Sequence, residues 1–325
     1  MRIVVTGGAG FIGANLCQTL LALKVPEIVV IDDFSTGTFE NLEGLPVEIH
    51  DASILDRVAV DKAVTRADSI IHLAARPSVP RSLADPLASN EVNVSGTLKI
   101  LEAARRAGAH VVVASSSSVY GGNRRLPKRE DMLPRPLSPY AVSKLAAESY
   151  ALSYATCFDL PVLAVRFFNV FGPMQSAGHA YAAVIPRFVE AAVNGHKIQV
   201  HGDGQQTRDF TYVRSVTEIL ADAALRRIVH NGPVNLAFGT RTSLLTVISL
   251  LERIIGCRLD VEHVASRPGD VRDSQADTKI LRTLFPAAAL YGLEPALAAT
   301  VQWYTNKQSV DQEVPAEPSV QIASR

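Results

Sequence analysis

Two side chains four residues apart, Tyr140 and Lys144, stand in the segment "SPYAVSKLAAESY", residues 138–150. On a helix that spacing puts both on one face. A free tyrosine titrates near pH ~10, so a phenolate base working near neutrality needs about three units of help, roughly 4 kcal/mol of preferential stabilisation of the anion. A lysine ammonium one turn away is one source of that field. Tyrosine and lysine at this spacing are also an ordinary helix pair, so the chemistry depends on what else the chain brings to them.

A second chemical feature lies at the start. "VVTGGAGFIGANL", residues 4–16, carries Gly7, Gly8, Gly10 and Gly13 between a strand-like run and the head of a helix. Such glycines permit a tight turn and a close backbone approach to a pyrophosphate, and the helix N-terminus offers N–H groups to an anion. Asp32, nineteen residues after Gly13, ends the next apolar run, where an acid accepts hydrogen bonds from a ribose. Its charge repels a 2′-phosphate, and "DFSTGTFEN" after it has no arginine to compensate, so NAD is expected rather than NADP. Asp51 ends the third run and suits either an adenine contact or a helix N-cap.

These groups need a scaffold that holds strand ends together. Short β-branched runs at residues 3–6, 27–32, 47–50, 69–74, 110–115 and 161–168 alternate with helical patterns. Continuous apolar strands are buried on both faces, so the reading is α/β, a Rossmann-like doubly wound parallel sheet. After residue 170 the regularity breaks, and the chain is expected to return to the sheet with "RDFTYV" (208–213) and "PVNLAFG" (233–239). The expected division is a nucleotide-binding domain over 1–170 and 208–239, and a smaller discontinuous C-terminal substrate-binding domain over 171–207 and 240–304. Residues 305–325, polar and aperiodic, read as a flexible tail. A ligand would sit in the cleft between the units.

Composition removes other classes. The 325 residues are 47% hydrophobic and 20% charged with formal net charge +0, so nothing global draws the chain to nucleic acid or a membrane. No apolar run approaches the ~18 residues of a spanning helix. The start lacks the pattern of a signal peptide. Cys17, Cys157 and Cys257 are an odd, widely spaced trio, which suggests reduced thiols and a cytoplasmic setting. The eight histidines show no ligand spacing, and no metal is expected.

"TGGAGFIG", the "HLAA" of residues 72–75, "SSSSVYG" (115–121) and "YAVSK" together resemble the extended short-chain dehydrogenase/reductase superfamily, specifically its NAD-dependent nucleotide-sugar epimerases and dehydratases. The likeness runs from residue 1 to about 304. It implies that Ser116 joins Tyr140 and Lys144 as the third catalytic group, hydrogen-bonded to the sugar O4 and to Tyr140. It also places Phe11 and Ile12 with the glycines, Ala74 and Ala75 along the pyrophosphate, and Asn93 toward the nicotinamide. The 4,6-dehydratases resemble Thr-Asp-Glu where this chain has Ser116, Ser117 and Ser118. Serine cannot serve as a carboxylate acid or base, so 4-epimerisation through a transient 4-keto sugar is expected.

The blocks "AYAAVIPRF" (180–188), "VHGDGQQTRDFTYV" (200–213) and "RPGDVRDSQAD" (267–277) resemble the substrate half of UDP-hexose 4-epimerases, closest to members acting on N-acetylhexosamines. By that likeness Asn169 contacts the diphosphate or sugar, Arg208 and Arg267 the phosphates, and Asp270 the uridine ribose. Ser117, Val184 and His201 complete the substrate contacts. Ser274 walls the pocket beside the C2 substituent, where a small residue leaves room for an acetamido group. The resemblance therefore implies UDP-N-acetylglucosamine and UDP-N-acetylgalactosamine, with UDP-glucose and UDP-galactose alongside. UDP-glucuronate 4-epimerases share the serine run and are the alternative, followed by a dehydratase or decarboxylase and, last, a non-enzymatic NAD sensor. A homodimer through the Tyr140 helix and the helix ending near Ala107 is implied as well.

Overall fold

The apolar runs pair as strands because their β-branched side chains bury on both faces once helices cover them. The computed structural model describes residues 1–178, 182–265 and 272–313. Six strands form in succession: β1 (Arg2–Thr6), β2 (Glu27–Asp32), β3 (Glu48–Asp51), β4 (Ser69–His72), β5 (His110–Ser116) and β6 (Val162–Phe167). Four short ones follow, β7 (Val170–Phe171), β8 (Ile198–His201), β9 (Thr207–Arg208) and β10 (Thr211–Tyr212), then β11 (Val234–Leu236), β12 (Thr242–Ser243) and β13 (Val261–Val264). The seven-stranded sheet runs β11-β6-β5-β4-β1-β2-β3, and every pair in it is parallel. Chain order reverses between β1 and β4, the point at which such a sheet opens a crevice at its carboxyl edge.

The first six helices are α1 (Phe11–Ala22), α2 (Arg57–Val64), α3 (Val79–Ala84), α4 (Pro86–Asn90), α5 (Thr97–Ala107) and α6 (Pro139–Phe158). After them come α7 (Val184–Val193), α8 (Val213–Arg226), α9 (Leu244–Ile255), α10 (Lys279–Leu284) and α11 (Leu293–Glu313). Successive strand residues divide between two cores. Ile3, Val5 and Val30 pack with Leu16 and Leu20 of α1 and Val216, Ile219 and Leu220 of α8. Val4, Val29 and Ile31 pack on the other face with Val60, Ile100, Leu101 and Ala151. Full burial of such a side chain contributes about 1.5–3 kcal/mol, so these two layers fix the sheet as a platform.

A separate core lies beyond β7, where Ile185, Phe188 and Val189 of α7 meet Ile198 and Val200 of β8, Val247 and Leu251 of α9, and Leu297 and Tyr304 of α11. Two details differ from the sequence reading. Residues 208–213 do not rejoin the sheet: β9 pairs with β12 and β10 with β7 in separate two-stranded pieces, and the return is made by α8 and β11. The tail expected from Thr305 is helical as far as Glu313, because α11 propagates outward from the turns that Leu297 and Tyr304 anchor. Among the described residues no helix is long and apolar enough to cross a membrane.

Candidate active site

The glycine turn joins β1 to α1, with Gly10 in extended conformation at the helix N-cap. A Cβ on Gly13 would overlap the Gly7 carbonyl oxygen, so the helix can sit this close to the turn only with glycine there. Asp32, buried at the end of β2, accepts from the backbone N–H of Ala9 and of Phe34, both at 2.9 Å. Burial pushes its carboxyl above the usual range, and the two N–H groups oppose that shift. Asp51 is the register partner of Asp32 on β3 and is exposed; helix α2 is capped by Asp56 instead, which removes the N-cap reading of Asp51. Phe11 and Ile12 open α1, half-buried.

Across the crevice, β4 leads to Ala74 and Ala75. The Ala74 N–H donates to Thr6 Oγ1 at 3.1 Å. The Thr6 hydroxyl meets His72 Nδ1 at 2.7 Å, and His72 Nε2 meets Thr97 Oγ1 at 2.9 Å. Thr97 in turn donates to the Asn93 carbonyl at 2.7 Å. Since Thr97 gives its proton to the Asn93 carbonyl, it can only accept from His72, so Nε2 carries the imidazole hydrogen and Nδ1 accepts from the Thr6 hydroxyl. Burial, with the Lys144 charge nearby, pushes His72 down to about 3. Asn93, in a π-helical turn over Glu91–Gly96, accepts from Arg76 N at 2.7 Å and donates to Arg76 O at 3.2 Å and Ser143 Oγ at 2.9 Å. Its amide thus holds the loop after β4 against α6.

Strand β5 delivers the serine run to the same edge. Residues 117–120 turn as a 3₁₀ helix, with Ser116 Oγ accepting from Ser118 N at 3.1 Å. Helix α6 starts cleanly because Ser138 caps Ala141 N and Pro139 takes the first turn. Tyr140 and Lys144 lie one turn apart on it, and the Ser116 hydroxyl hydrogen-bonds to the Tyr140 side chain. Burial raises Tyr140 above the ordinary phenol range while the Ser116 bond lowers it. Lys144 is buried, donates from Nζ to the Ala114 carbonyl at 2.9 Å, and is pushed down to about 8 by burial.

Behind these groups sits a buried brace that the sequence reading did not assign. Glu148, one turn beyond Lys144, receives Arg166 Nη2 at 2.6 Å on one oxygen. Its other oxygen receives Arg166 Nε at 2.9 Å and the Ser115 hydroxyl at 2.6 Å. Arg166 lies over the Tyr120 ring at 4.7 Å, and the Tyr120 hydroxyl donates to Asn235 Oδ1 at 2.7 Å. One carboxylate therefore ties α6 to the ends of β5 and β6, beside Ser116.

The expected substrate side is arranged around Asp209, also missed. This buried carboxylate accepts from Gly239 N (3.0 Å), Thr240 N (3.2 Å), Thr240 Oγ1 (2.9 Å) and Ala276 N (2.9 Å). Asn169 adopts a left-handed backbone, φ 32°, and its Nδ2 donates to the Asp209 carbonyl at 3.3 Å. Arg208 Nη1 donates to the carbonyls of Thr207 and Arg272, both at 3.0 Å. Ser274 N donates to Thr207 O at 3.1 Å, so Ser274 and Arg208 share one stretch of backbone pairing. Val184 opens α7, and His201 ends β8 with Nδ1 3.0 Å from the Ala265 carbonyl. Arg267 and Asp270 lie outside the described residues.

A model of the NAD dependent epimerase/dehydratase family matches residues 3–237. The chain belongs to this family. It is 36% identical to the UDP-glucose 4-epimerase of Mycolicibacterium smegmatis over 94% of this chain and 99% of that protein. It is 32% identical to a UDP-N-acetyl-alpha-D-glucosaminuronate decarboxylase of Bacillus cytotoxicus over 93% of this chain and 97% of that one. Among solved structures it matches a UDP-N-acetylglucosamine 4-epimerase from Methanobrevibacter ruminantium in complex with UDP-N-acetylmuramic acid, at 34% identity and TM-score 0.89, covering 94% and 98% of the two chains. The UDP-glucuronic acid 4-epimerase of Bacillus cereus, solved with UDP-glucuronic acid and NAD, matches at 31% identity and TM-score 0.87, covering 94% and 100%.

As in other members of the epimerase/dehydratase family, the cofactor is NAD. The residues present fit it: a turn too close for any Cβ at Gly13, an unblocked helix N-terminus, and a carboxylate already oriented at the end of β2. One consequence concerns Lys144. Its folded value near 8 lies below the ordinary 10.5, so unfolding takes up a proton between those pH values and stability rises with pH across that window. The penalty is fully present below pH 8 and amounts to about 3 kcal/mol. Lys144→Met is expected to stabilise the NAD-free protein at neutral pH and to flatten this rise; urea denaturation between pH ~7 and ~10 checks it, and an unchanged slope would contradict the assignment.

Proposed function

We propose that this chain is a UDP-hexose 4-epimerase that interconverts UDP-N-acetylglucosamine and UDP-N-acetylgalactosamine, and also UDP-glucose and UDP-galactose. The observation carrying this reading is the Ser116, Tyr140 and Lys144 set beside a serine turn that carries no carboxylate of its own. Glu148, which stands nearest along α6, is already bound by Arg166 and Ser115. Elimination across C5 and C6 needs an acid and a base, and decarboxylation in this family usually has a glutamate at the Ser118 position; here both positions after Ser116 are serines.

Bound NAD supplies the hydride acceptor and a positive charge. Tyr140 holds and moves the proton of the sugar O4: it takes that proton as C4 is oxidised and returns it when the 4-keto sugar, turned over in the pocket, is reduced on its other face. Ser116 bonds to both O4 and the phenol, and the Lys144 ammonium favours the phenolate. Arg208 and Arg267 hold the diphosphate, Asp270 the uridine ribose, and Asn169 the diphosphate or the sugar, while Gly7, Gly10, Gly13, Asp32, Asp51, Ala74 and Ala75 hold the dinucleotide. Incubation with each UDP-sugar separately, with products resolved by NMR, tests the reading; release of carbon dioxide or a keto-deoxy sugar would count against it.

Ser274 sets the substrate range in this proposal. A Ser274→Tyr variant is expected to lose the N-acetylated substrates by at least about tenfold relative to UDP-glucose, since steric overlap of a few atoms costs about 1–3 kcal/mol, in kcat/KM ratios with both sugars. A uronate substrate is the second reading, favoured by the Ser118 hydroxyl, which is buried without a protein partner among the described residues and could donate to a carboxylate. The exposed Val142 and Tyr150 on α6 lie on the face we assign to a homodimer, and sedimentation as a folded monomer would refute that. The free thiols of Cys17, Cys157 and Cys257 fit the cytoplasm.

A further inference from the structure

Directly after the serine turn the chain makes a loop that closes on itself. Gly122 N donates to the Arg135 carbonyl at 3.0 Å, and Arg135 N donates to the Val119 carbonyl at 2.9 Å. The loop encloses a cup of about 710 Å³ lined by Asn123, Arg124, Arg125, Arg129, Arg135 and Asp131, among others. Arg129 is paired with Asp131. Arg124, Arg125 and Arg135 have no acidic partner among the described residues, so four arginines and one aspartate line the cup. None of the residues assigned to the reaction or to NAD lines this cup.

A second observation comes from beneath the surface. Lys128 is only 4% exposed, and its ammonium has one partner among the described residues, the carbonyl of the cup residue Asn123. No carboxylate pairs with it among the described residues, and burial pushes its pKa down. A buried charge without a counter-charge is costly. Lys144 is held in the same way, by one carbonyl, and its charge serves the phenol; Lys128 has no such role in the reaction.

We propose that the cup binds a small oxyanion carrying two or more negative charges, through the guanidinium groups of Arg124, Arg125 and Arg135, with the buried Lys128 ammonium adding positive potential from behind Asn123. Planar guanidinium forks grip phosphate or carboxylate oxygens in pairs, and a small polyanion fits a cavity of this volume where a single-charge ion would leave guanidinium groups unpaired. Phosphates and polycarboxylates share this chemistry.

The test is calorimetric titration of the full-length, NAD-loaded protein with inorganic pyrophosphate and, separately, citrate, in about 150 mM salt to screen loose surface association. Saturating UDP is present to keep the substrate side filled. Binding of either probe that falls about tenfold or more in the Arg124→Gln/Arg125→Gln/Arg135→Gln variant supports the site, since each charge-assisted contact is worth about that factor, and the stronger probe identifies the source. Lys128→Met should weaken the same probe several-fold. Affinity unchanged in the triple variant, or no binding of either probe by the parent protein, overturns the proposal. UDP binding is measured first: its failure would count against the epimerase reading and leave the cup to be tested alone.

Discussion

Replacing Tyr140 with phenylalanine is expected to lower turnover of UDP-hexoses by about a thousandfold, within the range for loss of a positioned proton-transfer group. KM should change little, because in the proposed mechanism the phenol moves a proton while the arginines hold the nucleotide. Removing the hydroxyl deletes the bond to Ser116 and leaves the ring, so the fold should lose no more than about 1 kcal/mol. Steady-state kinetics together with thermal denaturation separate these effects. Appreciable epimerisation by a folded Tyr140→Phe protein would remove Tyr140 from the mechanism. An equal loss of kcat and kcat/KM is the pattern expected of an interaction made only in the transition state.

The largest stability effect is expected at Arg166. Arg166→Met leaves Glu148 buried and unpaired, and breaking such a pair costs about 3–5 kcal/mol. For a protein of this size that corresponds to a fall in Tm of roughly 10 °C. The double variant Arg166→Met/Glu148→Gln should recover part of the loss, since no buried charge then remains unpaired. Arg166→Lys should keep a counter-charge yet fall short of the parent, because a single ammonium cannot reproduce two bonds to the carboxylate and the contact over Tyr120. Denaturant unfolding of the set decides the matter: a cost below about 1 kcal/mol for Arg166→Met would mean that the pair is not a brace.

Much of this arrangement could be read from the chain because it is local. The β-branched runs marked the first six strands, the glycine turn needed only its two flanks, and Tyr140 and Lys144 needed only a helical period. Glu148 was visible on their face, but its role depends on Arg166, and the one available signal was a charge inside the apolar run "VLAVRFF", which demands a buried partner. Residues 208–213 resembled a strand by composition. Asp209 interrupts them, since its four hydrogen bonds draw the backbone toward residues 239–240 and 276. The contacts among Thr6, His72 and Thr97 depend on β1 lying beside β4 in register, Thr6 opposite His72, which no local pattern specifies.

That last set of contacts spans the place where the two halves of the sheet diverge. Its hydrogens all run one way, and His72, held near 3, stays uncharged through mild acid. The unfolded chain binds that proton near pH ~6.5, so acidification between those values weakens the fold as a whole and leaves the crevice in its neutral form. Acid here would act as a threshold for unfolding rather than as a dial on the width of the crevice.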